Sequence, residues 1–350
     1  MKGKVKIYMT LVVCSILLWG CNNDDDKEPV NDENENSGMI QLVSSSLIDD
    51  SSVQTRSAVA NLIGAGDIGV IGALYNGTGI DWTSYPDLNN VKAHAVTVSG
   101  GVYSFDWDSQ KYWPFDGSQL VFMAYYPYTD NAVGSRVNIG DSREFVALSL
   151  PQTTPGDMPD VMYASGNLEA ASRPLNKLAP AGKVDLGEFM HVLSQLTVEV
   201  VRKDNNVDAD LMIYDLTVST NSTAGALSLR DGDLQVADGA AASYRFIETP
   251  VLLTGFPAGG FTSFFYPGTE DDVQVSIVIG KGTTTVTRSY PVSSFRNVND
   301  ENLSVTLERA KRTTLRIEIA GIPVQDGLEL NLKATLSEWN QKGDFVVNVK

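Results

Sequence analysis

"LELNLKATL", residues 328–336, decides the fold. Leu328, Leu330, Leu332, Ala334 and Leu336 occupy every second position, and Glu329, Asn331, Lys333 and Thr335 fill the gaps. A period of two puts all five apolar side chains on one face of an extended chain, whereas a helix would scatter them around its circumference. The stretch reads as a half-buried strand, and the same pattern recurs outward from it. "TLRIEIAG" (314–321), "TTTVTRSYPV" (283–292), "VQVSIVIG" (273–280), "DLTVST" (215–220) and "LTVEVV" (196–201) alternate or run apolar over strand lengths. They are rich in β-branched residues and punctuated by Gly, Asn, Asp and Pro. "LVFMAYYPY" (120–128) is apolar almost throughout, like a strand covered on both faces. No segment carries the pattern of a long amphipathic helix. Many short strands with turn signals predict an all-β fold of β-sandwich type.

The chain has 350 residues, enough for two domains of ordinary size. The most polar gap near its middle is "VRKDNNVDAD" (201–210), which sets the expected boundary. A first domain then runs from about Gly38 to Lys203 and a second from about Asp204 to Lys350. No short internal repeat is present.

The start of the chain has a different character. Lys2, Lys4 and Lys6 precede a mostly apolar run, Ile7 to Trp19, of a length suited to a signal-peptide core and too short to span a membrane. "LLWGC" (17–21) resembles a bacterial lipobox, which implies a cut before Cys21 and lipid on that cysteine. An ordinary secretory signal is the alternative. Only two cysteines exist, and Cys14 would leave with residues 1–20. Such a protein has no disulfide and must be held together by its core. Asp24, Asp25, Asp26, Glu28, Asp32, Glu33 and Glu35 then crowd residues 21–37 with almost nothing apolar between them. Mutual repulsion and lack of burial predict an extended acidic tether. Acids close behind a lipidated cysteine also resemble the surface-export signal of Bacteroidota lipoproteins, which implies the outer membrane and the cell surface; a plain periplasmic linker is the alternative. The formal charge of −17 becomes −20 without the three lysines, which disfavours nucleic acid and anionic lipid as partners.

Motifs for chemistry are sparse. "GAGDIG" (64–69) matches a dinucleotide fingerprint, but "VIGALYNG" follows it, a strand where a phosphate-binding helix is needed. The two histidines, His94 and His191, are not spaced as a metal pair, and His191 lies among apolar residues in "EFMHVLSQL". Asp208/Asp210, Asp231/Asp233 and Glu270-Asp271-Asp272 lack the spacing of a calcium loop and read as solvated turns. No nucleophile elbow or acid–base set appears, so no enzymatic activity, cofactor or metal is expected. Aromatics gather in the first half, from Trp82 to Tyr128, either as core filling or as faces on which a sugar could stack. Trp82, Tyr85 and Trp107 are the candidates for stacking.

Four stretches, in order along the chain, resemble the fimbrillin family of lipoproteins, subunits of the type V pili of Bacteroidota. They are "YWPFDGSQLVFMAYYPY" (112–128), "DVMYASGN" (160–167), "GEFMHVLSQLTVEV" (187–200) and "LNLKATLSEWNQ" (330–341). The resemblance implies two tandem transthyretin-like β-sandwiches and assembly by donor-strand exchange. An arginine-specific protease removes a first strand, and a strand of the next subunit fills the groove left behind. Arg56, followed by Ser57, matches the position of the family's processing arginine, with residues 38–56 as the removable segment. The loop's Ser, Thr and Asp content suits cleavage. The donor is expected in "GDFVVNVK" (343–350), with Phe345, Val347 and Val349 on one face, alone or as an arm with "LELNLKATL". The partners so implied are other fimbrial subunits, the outer membrane through Cys21, the protease, and a host protein or glycan. The resemblance also covers relatives that stay uncut as anchor or tip subunits, so a non-polymerising adhesin or glycan-binding lipoprotein is the alternative function.

Overall fold

The computed structural model describes residues 38–45, 67–82, 85–99, 102–153, 158–164, 183–203, 210–257, 259–297, 305–320 and 329–338. Its regular structure is almost wholly β, in three sheets. The nine-stranded sheet runs, edge to edge, Lys183–Asp185, Gln41–Ser45, Val102–Trp107, Val91–Ser99, Asp67–Tyr75, Gln119–Tyr126, Met162–Ala164 and Met190–His191, with Ile80–Asp81 added to Asp67–Tyr75. The five-stranded sheet runs Phe261–Phe265, Ser194–Arg202, Lys311–Ala320, Glu329–Glu338 and Arg296–Asn297. The third runs Thr284–Pro291, Gln274–Lys281, Met212–Ser228, Phe145–Ser149 and Val137–Ile139, with Leu234–Arg245 and Val251–Leu252 also paired to Met212–Ser228.

The apolar run at 120–128 shows why the nine-stranded sheet is central. Along Gln119–Tyr126 the even residues Leu120, Phe122 and Ala124 enter a smaller core with Ile40, Leu42, Phe105 and Phe189. The odd residues Val121, Met123 and Tyr125 enter a larger core. Asp67–Tyr75 divides the same way, Ile68 and Val70 to one side and Ile71 and Ala73 to the other. A strand buried on both faces cannot alternate with polar residues, which is why this run reads as continuously apolar. Close approach adds a local demand: the Tyr125 ring packs on Gly69, where a Cβ would lie 2.2 Å from Tyr125 Cε1.

The larger core continues between the other two sheets. Leu196, Val198, Leu315 and Ile317 meet Ile213, Leu216, Val275 and Ile277 there, all buried. These residues alternate with polar ones in "LTVEVV", "TLRIEIAG" and "VQVSIVIG", so the expected strands form where the pattern puts them. Glu329–Glu338 pairs antiparallel with Lys311–Ala320 over ten residues. The side chains of this decisive strand lie outside the described ones.

The expected boundary at Lys203/Asp204 does not coincide with a break between sheets. Phe145–Ser149 pairs with Met212–Ser228, from Ala224↔Ser149 to Ser228↔Phe145, and Ser194–Arg202 pairs in parallel with Lys311–Ala320. The polar run 201–210 follows the composition of a linker, but it joins two strands that face a common core.

Candidate functional site

The first described strand, Gln41–Ser45, is inserted into the nine-stranded sheet rather than laid on its edge. On one side it pairs in parallel with Lys183–Asp185, through Gln41↔Lys183, Leu42↔Val184 and Val43↔Asp185. On the other it pairs antiparallel with Val102–Trp107, from Leu42↔Phe105 to Ser45↔Val102. Ile40 and Leu42 are each 1% exposed and Ser44 is fully buried, so alternate positions face the smaller core. Phe105 and Phe189, with ring centroids 6.0 Å apart, belong to the same core. Ser44 Oγ donates to the Gly187 carbonyl, and the Leu186 N–H donates to the Val43 carbonyl at 2.8 Å. Trp107 Nε1–H donates to the Ile40 carbonyl at 2.7 Å. A groove of about 510 Å³ runs beside the strand, lined among others by Met39, Leu42, Phe105, Trp107 and Lys183.

The residues just before this strand hold a loop. The Ile40 N–H donates to the Lys111 carbonyl and the Trp113 N–H donates to the Gly38 carbonyl, both at 2.9 Å. Met39 bridges Tyr112 between them. That loop walls a second cavity, of about 740 Å³, with Tyr85, Tyr112, Trp113 and Phe115 as its aromatics and Asp87 and Asp116 as its acids. Phe115 is 99% exposed and Tyr112 55%, whereas Trp113 is 4% exposed and stands edge-on to Phe122 at 5.9 Å. The Trp113 indole N–H is buried without an acceptor. Partial burial, with Asp87 and Asp116 nearby, pushes the Tyr85 hydroxyl pKa up. Asp116 accepts the Ser118 N–H at 2.9 Å, and hydrogen bonding to Ser118 holds its carboxyl below the usual range.

Cys21, Arg56, Ser57, Phe345, Val347 and Val349 lie outside the described residues. The three stacking candidates do not form one platform. Trp82 packs half-buried on the larger core, Trp107 lines the groove beside the opening strand, and Tyr85 lines the aromatic cavity. Tyr112 and Phe115, which the sequence offers only as part of the general aromatic cluster, stand exposed at this cavity. In "YWPFDG" (112–117) four bulky residues in a row cannot all face one side, and Pro114 with Gly117 (φ 76°) makes the segment a turn. Within the stretch expected to share in a donor arm, Glu329–Glu338 pairs in this chain with Lys311–Ala320 on one side and Arg296–Asn297 on the other.

The histidines serve local pairs. His191 is 5% exposed and its Nδ1 lies 2.9 Å from Asp160. His94 engages Asp67 and, at 3.5 Å, Asp108. Among the described residues no group of three His, Cys, Asp or Glu is placed to hold a metal ion.

Comparison with known proteins gives a consistent set. Residues 55–339 match the family model described as fimbrillin-like. A candidate fimbrium subunit of Bacteroides uniformis, Fim1C, is 26% identical over 276 residues, which cover 76% of this chain and 81% of that protein. A solved fimbrial protein of Bacteroides vulgatus superposes with a TM-score of 0.54 at 13% identity, over 86% of this chain and 99% of the other. A solved candidate cell adhesion protein of Bacteroides uniformis gives 0.51 at 17% identity, over 86% and 97%. At these identities the solved structures speak for the fold alone.

Proposed function

The chain belongs to the fimbrillin-like family, and on that premise we propose that it is a structural, non-enzymatic subunit of an adhesive cell-surface fimbria, assembled by donor-strand exchange. In this reading residues 1–20 are a leader and Cys21 carries the lipid that holds the protein at the outer membrane. Residues 21–37 are the tether. The chain then forms two sandwich units, the first built on the nine-stranded sheet. A protease cuts between Arg56 and Ser57, and residues 343–350 of a neighbouring subunit enter the slot.

One observation carries this reading: the opening strand lies between two strands that do not pair with each other, and Arg56 falls in the connection between it and the next described strand, Asp67–Tyr75. A cut there would leave Gln41–Ser45 held only by non-covalent contacts. Ile40 and Leu42 contribute about 1.5–3 kcal/mol each through burial. The hydrogen bonds along both edges add about 0.5–1.5 kcal/mol apiece. That is enough to keep a cut strand in place for a time, and little enough for a better strand to displace it. The opening strand offers its core Ile40, Leu42 and Ser44 at alternate positions; the donor offers Phe345, Val347 and Val349 at the same spacing. Replacing a buried serine position with a third apolar side chain gives exchange a direction.

Treating the purified protein with an arginine-specific protease tests this. The expected result is loss of the segment before Ser57 followed by ladders that resist SDS, and no ladders when residues 343–350 are deleted. A cut protein that stays monomeric would favour an anchor or tip subunit.

A further inference from the structure

Strand exchange makes no use of the aromatic cavity. Phe115 stands almost wholly in water at its rim beside the half-exposed Tyr112, so two aromatic faces of one cavity are open to a ligand. We infer that this cavity is a carbohydrate subsite that takes a neutral pyranose ring. The inference rests on the adhesive part of the proposed function and says what that adhesion grips.

The lining states three chemical demands. Tyr85, Tyr112 and Phe115 offer aromatic surface, which calls for an apolar face such as the C–H face of a sugar ring. Asp87 and Asp116 accept hydrogen bonds and cannot donate them when ionised, so they call for hydroxyl donors. Asp116 gives one oxygen to Ser118 and keeps further acceptor capacity. The Trp113 indole N–H, in the same wall, is buried without a partner, so a ligand oxygen that displaced its cover would be its acceptor. A pyranose meets all three at once, with C–H faces, hydroxyl donors, and hydroxyl and ring oxygens as acceptors.

Other ligand classes meet fewer. An ammonium or guanidinium group would suit the rings and the acids but has no acceptor for the indole. Lys111, in the same wall, opposes a second cation as well. A phosphate or carboxylate would face two acids. A hydrocarbon side chain leaves the acids and the indole unsatisfied. The volume of about 740 Å³ is within the ordinary range for small-molecule sites and leaves room for more than one ring.

The test uses uncleaved, monomeric protein. It is titrated with methyl pyranosides of gluco, manno, galacto and fuco configuration and with N-acetylglucosamine, by calorimetry and tryptophan fluorescence. At least one should saturate with a dissociation constant on the order of 1 mM, the scale of a single-ring contact. Phe115→Ala and Tyr112→Ala should each weaken it about tenfold or more. Both residues are exposed, so the thermal midpoint should stay unchanged and separate loss of binding from loss of fold. Saturation by none of the sugars overturns the inference, as does unchanged affinity in Phe115→Ala. Saturation by choline or N-acetyl-lysine in place of the sugars reassigns the cavity to cations and overturns it too. Failure of the protease-treated protein to form ladders would strike the fibre reading while leaving these titrations intact.

Discussion

Two strands of this molecule stand at opposite ends of permanence. Met212–Ser228 has 17 residues and pairs with four other strands, Phe145–Ser149, Leu234–Arg245, Val251–Leu252 and Gln274–Lys281. Gln41–Ser45 has five and pairs with two. The long strand is bent by register shifts between Thr220 and Ala224, and one carboxylate organises the bend. Asp272 accepts the N–H groups of Asn221 and Ser222 at 2.8 and 2.7 Å and the hydroxyl of Thr220. The short strand is held by two buried aliphatics, a buried serine bonded to Gly187, the Trp107 indole on the Ile40 carbonyl and its edge pairing. Removing the long strand would dismantle a whole sheet. Removing the short one would leave Val102–Trp107 paired with Val91–Ser99, while Lys183–Asp185 would lose its strand partner and keep its core contacts at Val184 and Leu186.

The largest expected effect tests that contrast through matched truncations. Ile277→Ala, in the strand paired with Met212–Ser228, should cost about 2–5 kcal/mol in denaturant unfolding, before and after cleavage alike. Leu42→Ala should cost about the same in the intact chain and nothing once the chain is cut and the opening strand has left. An equal penalty in both forms would mean that the strand never departs, and the distinction would fail.

Asp272→Asn comes next, at about 1–3 kcal/mol, because it weakens the acceptor on which three donors converge. Burial pushes the Asp272 pKa up, but the hydrogen bonds from Thr220, Ser222 and Asn221 outweigh it and hold the pKa below its ordinary 3.8. The sign follows from linkage: a depressed folded-state pKa stabilises above the unfolded value and loses that stabilisation as pH falls through the folded one. The wild-type protein should therefore lose stability below about pH 4 more steeply than Asp272→Asn, read as the slope of unfolding free energy against pH.

The smallest effect sharpens the short strand itself. Trp107→Phe deletes the donor to the Ile40 carbonyl and should cost about 0.5–1.5 kcal/mol. After cleavage it should speed release of the opening segment, measured by chromatography of the cut protein over time. No change in that rate would mean that the indole contact plays no part in retention.

The same two strands show what a sequence reveals. "DLTVST" is legible because its alternation survives in one short window, but the strand continues through Asn221-Ser222-Thr223, which carries no apolar residue to extend the pattern. Asp272, some fifty residues away, makes extension possible there, and nothing local signals it. Likewise the resemblance places a first strand within residues 38–56, while the parallel partner of Gln41–Ser45, Lys183–Asp185, lies about 140 residues further on. Hydrophobic period reports which face is buried; it does not report against what. The cavity suffers the same limit from the other side. Trp82, Tyr85 and Trp107 share aromatic character, but folding sends each to a different place: the larger core, the aromatic cavity and the groove.

Gly38, Met39 and Ile40 are stitched to the backbone of Lys111, Tyr112 and Trp113. The slot proposed to receive a neighbour's strand and the aromatic wall thus share a seam. Unpicking it by expelling the opening segment would slacken the wall until an incoming tail sewed it shut again. Grip would then be a property of the linked filament, and a lone trimmed subunit would drift free of its ligand.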